Sequence, residues 1–145
     1  MMTQSPSNIA LRAVLALAGV AIIFLGLNVG LGGIRTLGWQ GSTGFLTVTD
    51  VPRFDVQDSH VRFLGGLFGG LGLIMLMGAV YLARMRAILM ALSAVIFVGG
   101  LARLSVVDAN LLTGAEILPS IALELIGFPA LGLWIMRATQ SNAVP

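Results

Sequence analysis

Residues 63–83 read FLGGLFGGLGLIMLMGAVYLA, a run of 21 residues that contains no charged side chain. At about 1.5 Å of rise per helical residue, such a run crosses the roughly 30 Å of hydrocarbon in a bilayer. The chain contains three further apolar runs, two of which are interrupted by Arg103 and Glu124. We therefore expect transmembrane helices over about residues 10–34, 62–83, 87–107 and 116–137. The sequence therefore predicts an all-α integral membrane four-helix bundle that forms a single domain over residues 1–145.

The composition leads to the same fold class. Of the 145 residues, 57% are hydrophobic and 10% are charged, and the mean hydropathy is +1.00. A soluble domain carries about 25% charged residues and has no core large enough for four such runs. Because the chain has no cysteine, disulfides, thiolate metal sites and cysteine nucleophiles are excluded. The eight basic residues are all arginine and are scattered along the chain, so we expect no nucleic-acid partner.

The one long connection is expected between the first two spans, from Arg35 to Arg62. Trp39 beside Arg35 is typical of a segment that lies at the membrane interface. Asp55 and Asp58 stand just before the expected start of the second span. An acidic first turn complements the helix dipole there, so capping is the simplest role for both side chains.

The distribution of arginines sets the expected topology. Four spans place both termini on one side of the membrane, and four arginines fall on each side. The positive-inside rule gives most weight to short loops and largely ignores acidic residues. The hairpin Arg84-Met85-Arg86 is the clearest such loop, so we expect a multi-pass protein of the cytoplasmic membrane with both termini in the cytoplasm.

Glycines recur four residues apart in the apolar runs, as in Gly26 and Gly30 of the first and Gly65 and Gly69 of the second. In lipid, apolar side chains gain little by leaving the solvent, so close backbone approach at small residues drives helix association. The pattern indicates packing within the bundle. The lipid bilayer is one expected partner of these faces. A second copy of the chain (a homo-oligomer), or another membrane protein, joined through the Gly-rich faces is an alternative.

Two ionisable residues, Arg103 and Glu124, fall inside the expected spans. A charge at the bilayer centre costs on the order of 3 kcal/mol or more. The two lie roughly 6 and 10 Å below the same end of neighbouring antiparallel spans, so we expect them to face each other or to share Arg62. The candidate polar cluster beneath the outer face comprises Arg62, Arg103, Glu124, His60, Asp58 and Asn28.

Several roles fit this cluster. A buried ion pair between Arg103 and Glu124 would fix the register of two helices. A pocket with surplus positive charge would suit an anionic or carbonyl-bearing ligand, because the planar arginine fork matches such groups. Glu124 as a proton relay is a third role. A metal site on Asp55, Asp58 and His60 is a weak alternative, and we expect no metal, no cofactor and no catalytic residue. Pro129, inside the fourth span, predicts a kink.

Three stretches carry a resemblance to a known family. Residues 60–72 read HVRFLGGLFGGLG, residues 99–105 read GGLARLS, and Glu124 stands between two leucines. From about Leu11 to Arg137 the chain resembles the bacterial four-helix membrane proteins of domain-of-unknown-function family 4345, and more loosely the DoxX-like group. The resemblance implies a four-helix fold in the bacterial cytoplasmic (inner) membrane and brings no established reaction.

We therefore expect a small multi-pass membrane protein that acts as a non-enzymatic binding or accessory subunit. A transporter or channel component that passes a small anion or a proton is one alternative. The half of the spans away from the cluster offers only apolar residues with Arg84 and Arg86, which argues against a continuous polar path. A membrane enzyme that uses Glu124 as an acid or base is another alternative.

Overall fold

The structure of the protein is a computed structural model that describes residues 6–36, 47–105, 112–115 and 117–140. Within these residues every regular element is helical and no strand is present. The elements are α1 (Pro6–Gly32), a 3-10 turn (Gly33–Thr36), α2 (Val51–Val80), α3 (Arg86–Arg103), α4 (Leu118–Ala122), a π-helical turn (Leu123–Gly127) and α5 (Phe128–Gln140). The last three follow one another without a break, and together they are called the fourth helix.

Four helices in the described part of the chain are long and apolar enough to cross a membrane. They cover Asn8–Thr36, Val51–Val80, Arg86–Arg103 and Leu118–Thr139. All four expose large apolar side chains, including Leu17, Leu31, Phe63, Val95 and Ile126. Apolar surface of this extent is compatible with lipid and not with water. The predicted all-α fold, with four apolar helices compatible with a membrane bundle, is confirmed.

Helix α2 begins earlier than the sequence predicts, at Val51, within the segment assigned to the long connection. Asp50 caps it, because its Oδ1 accepts a hydrogen bond of 3.1 Å from the backbone N–H of Arg53. The capping role predicted for Asp55 and Asp58 is therefore wrong, since neither lies in the first turn. Hydropathy reports the length of chain that suits hydrocarbon, whereas a helix can continue past the bilayer surface.

The tight connection predicted around Arg84 is a turn over residues 81–85, between the end of α2 and the start of α3. The Met85 N–H donates to the Tyr81 carbonyl at 3.0 Å. The turn is held in place by the buried side chains of Leu82 and Met85. By contrast, Trp39 and the predicted connection over residues 108–111 and 116 lie outside the described residues.

The chain divides into two compact units, one of residues 13–79 and the other of residues 1–12 and 80–145. In the first unit, α1 and α2 pack through glycine. A Cβ on Gly65 would lie 2.6 Å from the Gly30 Cα, so only glycine permits this approach. In the second unit, α3 packs against α5 and the π-helical turn. The grouping of all four spans in one domain stays a prediction.

Candidate functional site

Arg103 and Glu124 are brought together by the packing of α3 against the fourth helix. Arg103 is the last residue of α3, and Glu124 is the second residue of the π-helical turn. One turn before Arg103, Gly100 lies directly against this region. A Cβ at Gly100 would stand 2.8 Å from the Glu124 Cβ and 2.9 Å from the Leu125 Cδ2. The absence of a side chain at residue 100 therefore sets how closely the two helices approach at the pair.

The predicted contact between the two charged side chains is present. Arg103 Nε lies 3.3 Å from Glu124 Oε2. Arg103 Nη1 also donates a hydrogen bond of 2.7 Å to Ser120 Oγ, and the Ser120 hydroxyl donates to the Ile117 carbonyl at 2.8 Å. Ser120 therefore anchors the guanidinium from the fourth helix. The sequence analysis missed Ser120, although it stands four residues before Glu124, a spacing that places two side chains on one face.

The two members of the pair differ in their access to the surroundings. The Glu124 side chain is 14% exposed, whereas the Arg103 side chain is 44% exposed. Glu124 Oε2 is buried and receives no hydrogen bond from the described residues, so its contact with Arg103 is ionic without an aligned N–H. The carboxylate is therefore the shielded member. The guanidinium is the member that can offer an N–H to an outside acceptor.

The π-helical turn that carries Glu124 ends at Gly127, two residues before Pro129. Phe128 donates its N–H to the carbonyl of Leu123, five residues back, in place of the regular four-residue pattern. Pro129 has no N–H and disfavours the regular helix over the preceding turn. The kink expected at Pro129 stays a prediction. Single π-helical turns within α-helices are frequent at functional sites.

Arg62 has a carboxylate of its own in the unit of residues 13–79. Arg62 Nε donates to Asp58 Oδ2 at 2.6 Å, and Nη1 donates to the Leu31 carbonyl. Asp58 Oδ1 accepts a hydrogen bond of 2.7 Å from the N–H of Ile34. Asp58 thus joins α2 to the 3-10 turn. Arg62 therefore has an acid within its own unit, as Arg103 does. The sharing of Glu124 by the two arginines stays a prediction.

The remaining candidate residues have different surroundings. Asn28 Nδ2 donates to the Thr36 carbonyl at 3.0 Å, and Thr36 Oγ1 donates to the Asn28 carbonyl at 2.9 Å. This reciprocal pair closes the end of α1 onto the 3-10 turn, where Gly33 has a φ of 67°. His60 is exposed on α2. No group of three His, Cys, Asp or Glu in the described ranges is placed to hold a metal ion.

The candidate residues fall into the two units. Asn28, Asp58, His60 and Arg62 belong to the unit of residues 13–79, and Arg103 and Glu124 belong to the other. Within each unit the structure joins one arginine to one acid, Arg62 to Asp58 and Arg103 to Glu124. The grouping of both pairs in a single cluster stays a prediction.

Comparison with known proteins places the chain among proteins of uncharacterised role. Residues 10–135 match the family described as Domain of unknown function (DUF4345). No curated protein and no solved structure matches the chain. The matched region contains both arginine–acid pairs, the π-helical turn and the glycines that join α1 to α2. Because the match covers most of the sequence, the chain belongs to the DUF4345 family.

Proposed function

We propose that this protein is a non-enzymatic binding or accessory subunit of the bacterial cytoplasmic membrane, and that Arg103 is its binding group. One observation carries the proposal. Glu124 is shielded, whereas the Arg103 side chain is 44% exposed. The exposed part of the pair therefore carries the guanidinium N–H donors, and the carboxylate acceptor is buried. Charged side chains in membrane helices are expensive and are default candidates for a functional site. The contacts with Ser120 and Glu124 hold the Arg103 guanidinium in position.

The charge balance indicates the kind of group that Arg103 binds. Glu124 already neutralises the guanidinium, so an anionic ligand would bring an uncompensated negative charge into a poorly solvated site. A carbonyl oxygen accepts the same N–H hydrogen bonds and adds no net charge. The occupant is therefore a small carbonyl-bearing molecule, or a carbonyl group of a partner membrane protein.

The burial of Glu124 disfavours the two other roles considered for it. A general acid or base must come within hydrogen-bond reach of the proton that it transfers. Glu124 Oε2 is buried, and Arg103 Nε lies 3.3 Å from it. This position suits an acid that orients and neutralises Arg103. It does not suit an acid that exchanges protons with a substrate or along a conduction path.

The proposal is tested by what the purified protein retains in mild detergent. Native mass spectrometry of the wild-type chain is expected to show a bound small molecule or a stoichiometric partner subunit, and Arg103→Gln is expected to lose it. The matched control is Arg53→Gln, because Arg53 is 83% exposed and lies 3.9 Å from Asp50. A wild-type monomer without any adduct contradicts the proposal, as does an adduct that survives in Arg103→Gln.

We also propose that both termini lie in the cytoplasm and that Arg103 lies near the outer face. The short turn with Arg84 and Arg86 supports this orientation, since short arginine-containing loops stay on the cytoplasmic side. A reporter fused after Pro145 is expected to be active when it requires the cytoplasm. Activity of a periplasm-specific reporter at the same position would reverse the orientation.

A further inference from the structure

The turn between α2 and α3 presents cations on a fixed backbone. Leu82 and Met85 are buried, whereas Arg84 between them is exposed. Arg86 follows at the first residue of α3, and its Nε is buried without a hydrogen-bond acceptor among the described residues. Two apolar side chains thus anchor the turn. The exposed Arg84 side chain can therefore contact groups outside the chain.

The turn belongs to the unit of residues 1–12 and 80–145, and two more arginines lie at the same end of that unit. Arg12 Nη1 donates a hydrogen bond of 2.7 Å to the carbonyl of Val80, the last residue of α2. Arg137 lies in the last turn of α5. The contacts of Gly132 with Ser93 and of Gly100 with Leu125 show that α3 and the fourth helix run antiparallel, so the end of α5 lies beside the start of α3.

The stretches of sequence that carry these arginines are free of acids. Residues 1–12, 80–102 and 125–145 contain no Asp or Glu. Two of the aromatic side chains in the same stretches are Tyr81, which is 53% exposed, and Trp134, one turn before Arg137. Tyrosine and tryptophan are enriched at the level of the lipid headgroups. This acid-free group, Arg12, Arg84, Arg86 and Arg137, is called the basic end.

We propose that the basic end binds the phosphates of anionic phospholipids, with Arg84 and Arg86 as the principal donors. Charge complementarity selects this partner, because Arg84, Arg86 and Arg137 lie in stretches of sequence that contain no acid. Arginines at the ends of membrane-spanning helices lie near the level of the lipid phosphates. Guanidinium and phosphate form bidentate, charge-assisted hydrogen bonds. The proposal does not depend on the role of Arg103.

The test measures lipid binding by the full chain in a neutral detergent. Phosphatidylglycerol and phosphatidylcholine are titrated separately, with bound lipid counted by native mass spectrometry. Each basic residue near an anionic surface contributes roughly fivefold in affinity, so Arg84→Gln/Arg86→Gln is expected to bind phosphatidylglycerol ten- to thirtyfold more weakly. The matched control is Arg35→Gln/Arg53→Gln, which removes the same charge elsewhere and is expected to keep wild-type affinity.

Several outcomes would overturn the proposal. A wild-type chain that binds both lipids equally excludes it, and this comparison needs no variant. An equal loss of affinity in both double variants indicates a net-charge effect without a site. Unchanged affinity in Arg84→Gln/Arg86→Gln also excludes it. Inorganic phosphate is expected to leave lipid binding unchanged, and full competition by phosphate at equal concentration would identify a free anion as the occupant.

Discussion

Arg103 Nε lies 3.3 Å from Glu124 Oε2, across the contact between α3 and the π-helical turn of the fourth helix. The pair combines charge neutrality with partial exposure of one member. Its net charge is zero, which limits the cost of placing it among apolar helices. Its guanidinium is nevertheless partly exposed, so it keeps hydrogen-bond donors for another group. The following predictions test the parts of this arrangement separately.

Removal of Arg103 alone is expected to destabilise the fold. Arg103→Ala leaves the shielded Glu124 carboxylate without a cation, at a cost of about 2 kcal/mol in the free energy of unfolding. Arg103→Ala/Glu124→Gln is expected to recover most of this loss, because no charge is then left unpaired. Thermal unfolding in detergent, followed by circular dichroism, measures both. A double variant as unstable as the sum of the two single variants would show that the side chains do not interact.

Gly100 and Gly99 offer a matched pair for the helix contact beside the site. A Cβ at Gly100 would stand 2.8 Å from the Glu124 Cβ, whereas a Cβ at Gly99 meets no atom within 4 Å. Gly100→Ala is expected to reduce the free energy of unfolding by about 1–3 kcal/mol through overpacking, and to weaken ligand binding at Arg103. Gly99→Ala is expected to leave both unchanged. Equal stability of the two variants would exclude the contact of Gly100 with Glu124.

Gly65 and Gly66 test the contact between α1 and α2 in the same way. A Cβ on Gly65 would lie 2.6 Å from the Gly30 Cα, and backbone cannot move aside as a flexible side chain can. Gly66 has open space around it. Gly65→Ala is expected to reduce the free energy of unfolding by about 1–3 kcal/mol, whereas Gly66→Ala is expected to change it little. The reverse order of stabilities would contradict the packing of these helices.

Asp58 is expected to hold the 3-10 turn against α2. Asp58→Ala removes the acceptor of the Ile34 N–H and the partner of Arg62, so the melting temperature is expected to fall and the Ile34 amide to exchange hydrogen faster. Asp55→Ala is the control, since Asp55 is exposed on the same helix. Unchanged exchange at Ile34 in Asp58→Ala would show that the hydrogen bond contributes nothing to local stability.

The sequence predicts the membrane class of this fold well, because uncharged runs must match the thickness of the hydrocarbon. It predicts the start of α2 poorly, because uncharged runs mark only the part of a helix that suits hydrocarbon. Arg53 and Asp55 interrupt the apolar pattern, yet both are exposed, where charge does not oppose a helix. Had α2 been extended to Val51, the four-residue spacing of Asp58 and Arg62 would have predicted their ion pair.

The candidate site was partly predictable as well. The depths of Arg103 and Glu124 in adjacent spans predicted their contact, since an unpaired charge in lipid is costly. Their unequal exposure was not predictable, because it depends on how closely α3 packs against the fourth helix. Pro129 predicts a kink, but nothing in the sequence predicted the π-helical turn over Leu123–Gly127.

The most direct test of the central claim, that Arg103 binds an outside group, uses Arg103→Gln/Glu124→Gln. This variant removes both charges together and leaves no carboxylate unpaired, so it is expected to unfold near the wild-type temperature. In native mass spectra it is expected to lack the small molecule or partner that the wild-type chain carries. Retention of that adduct by a folded double variant would contradict the account and leave the pair as a structural contact alone.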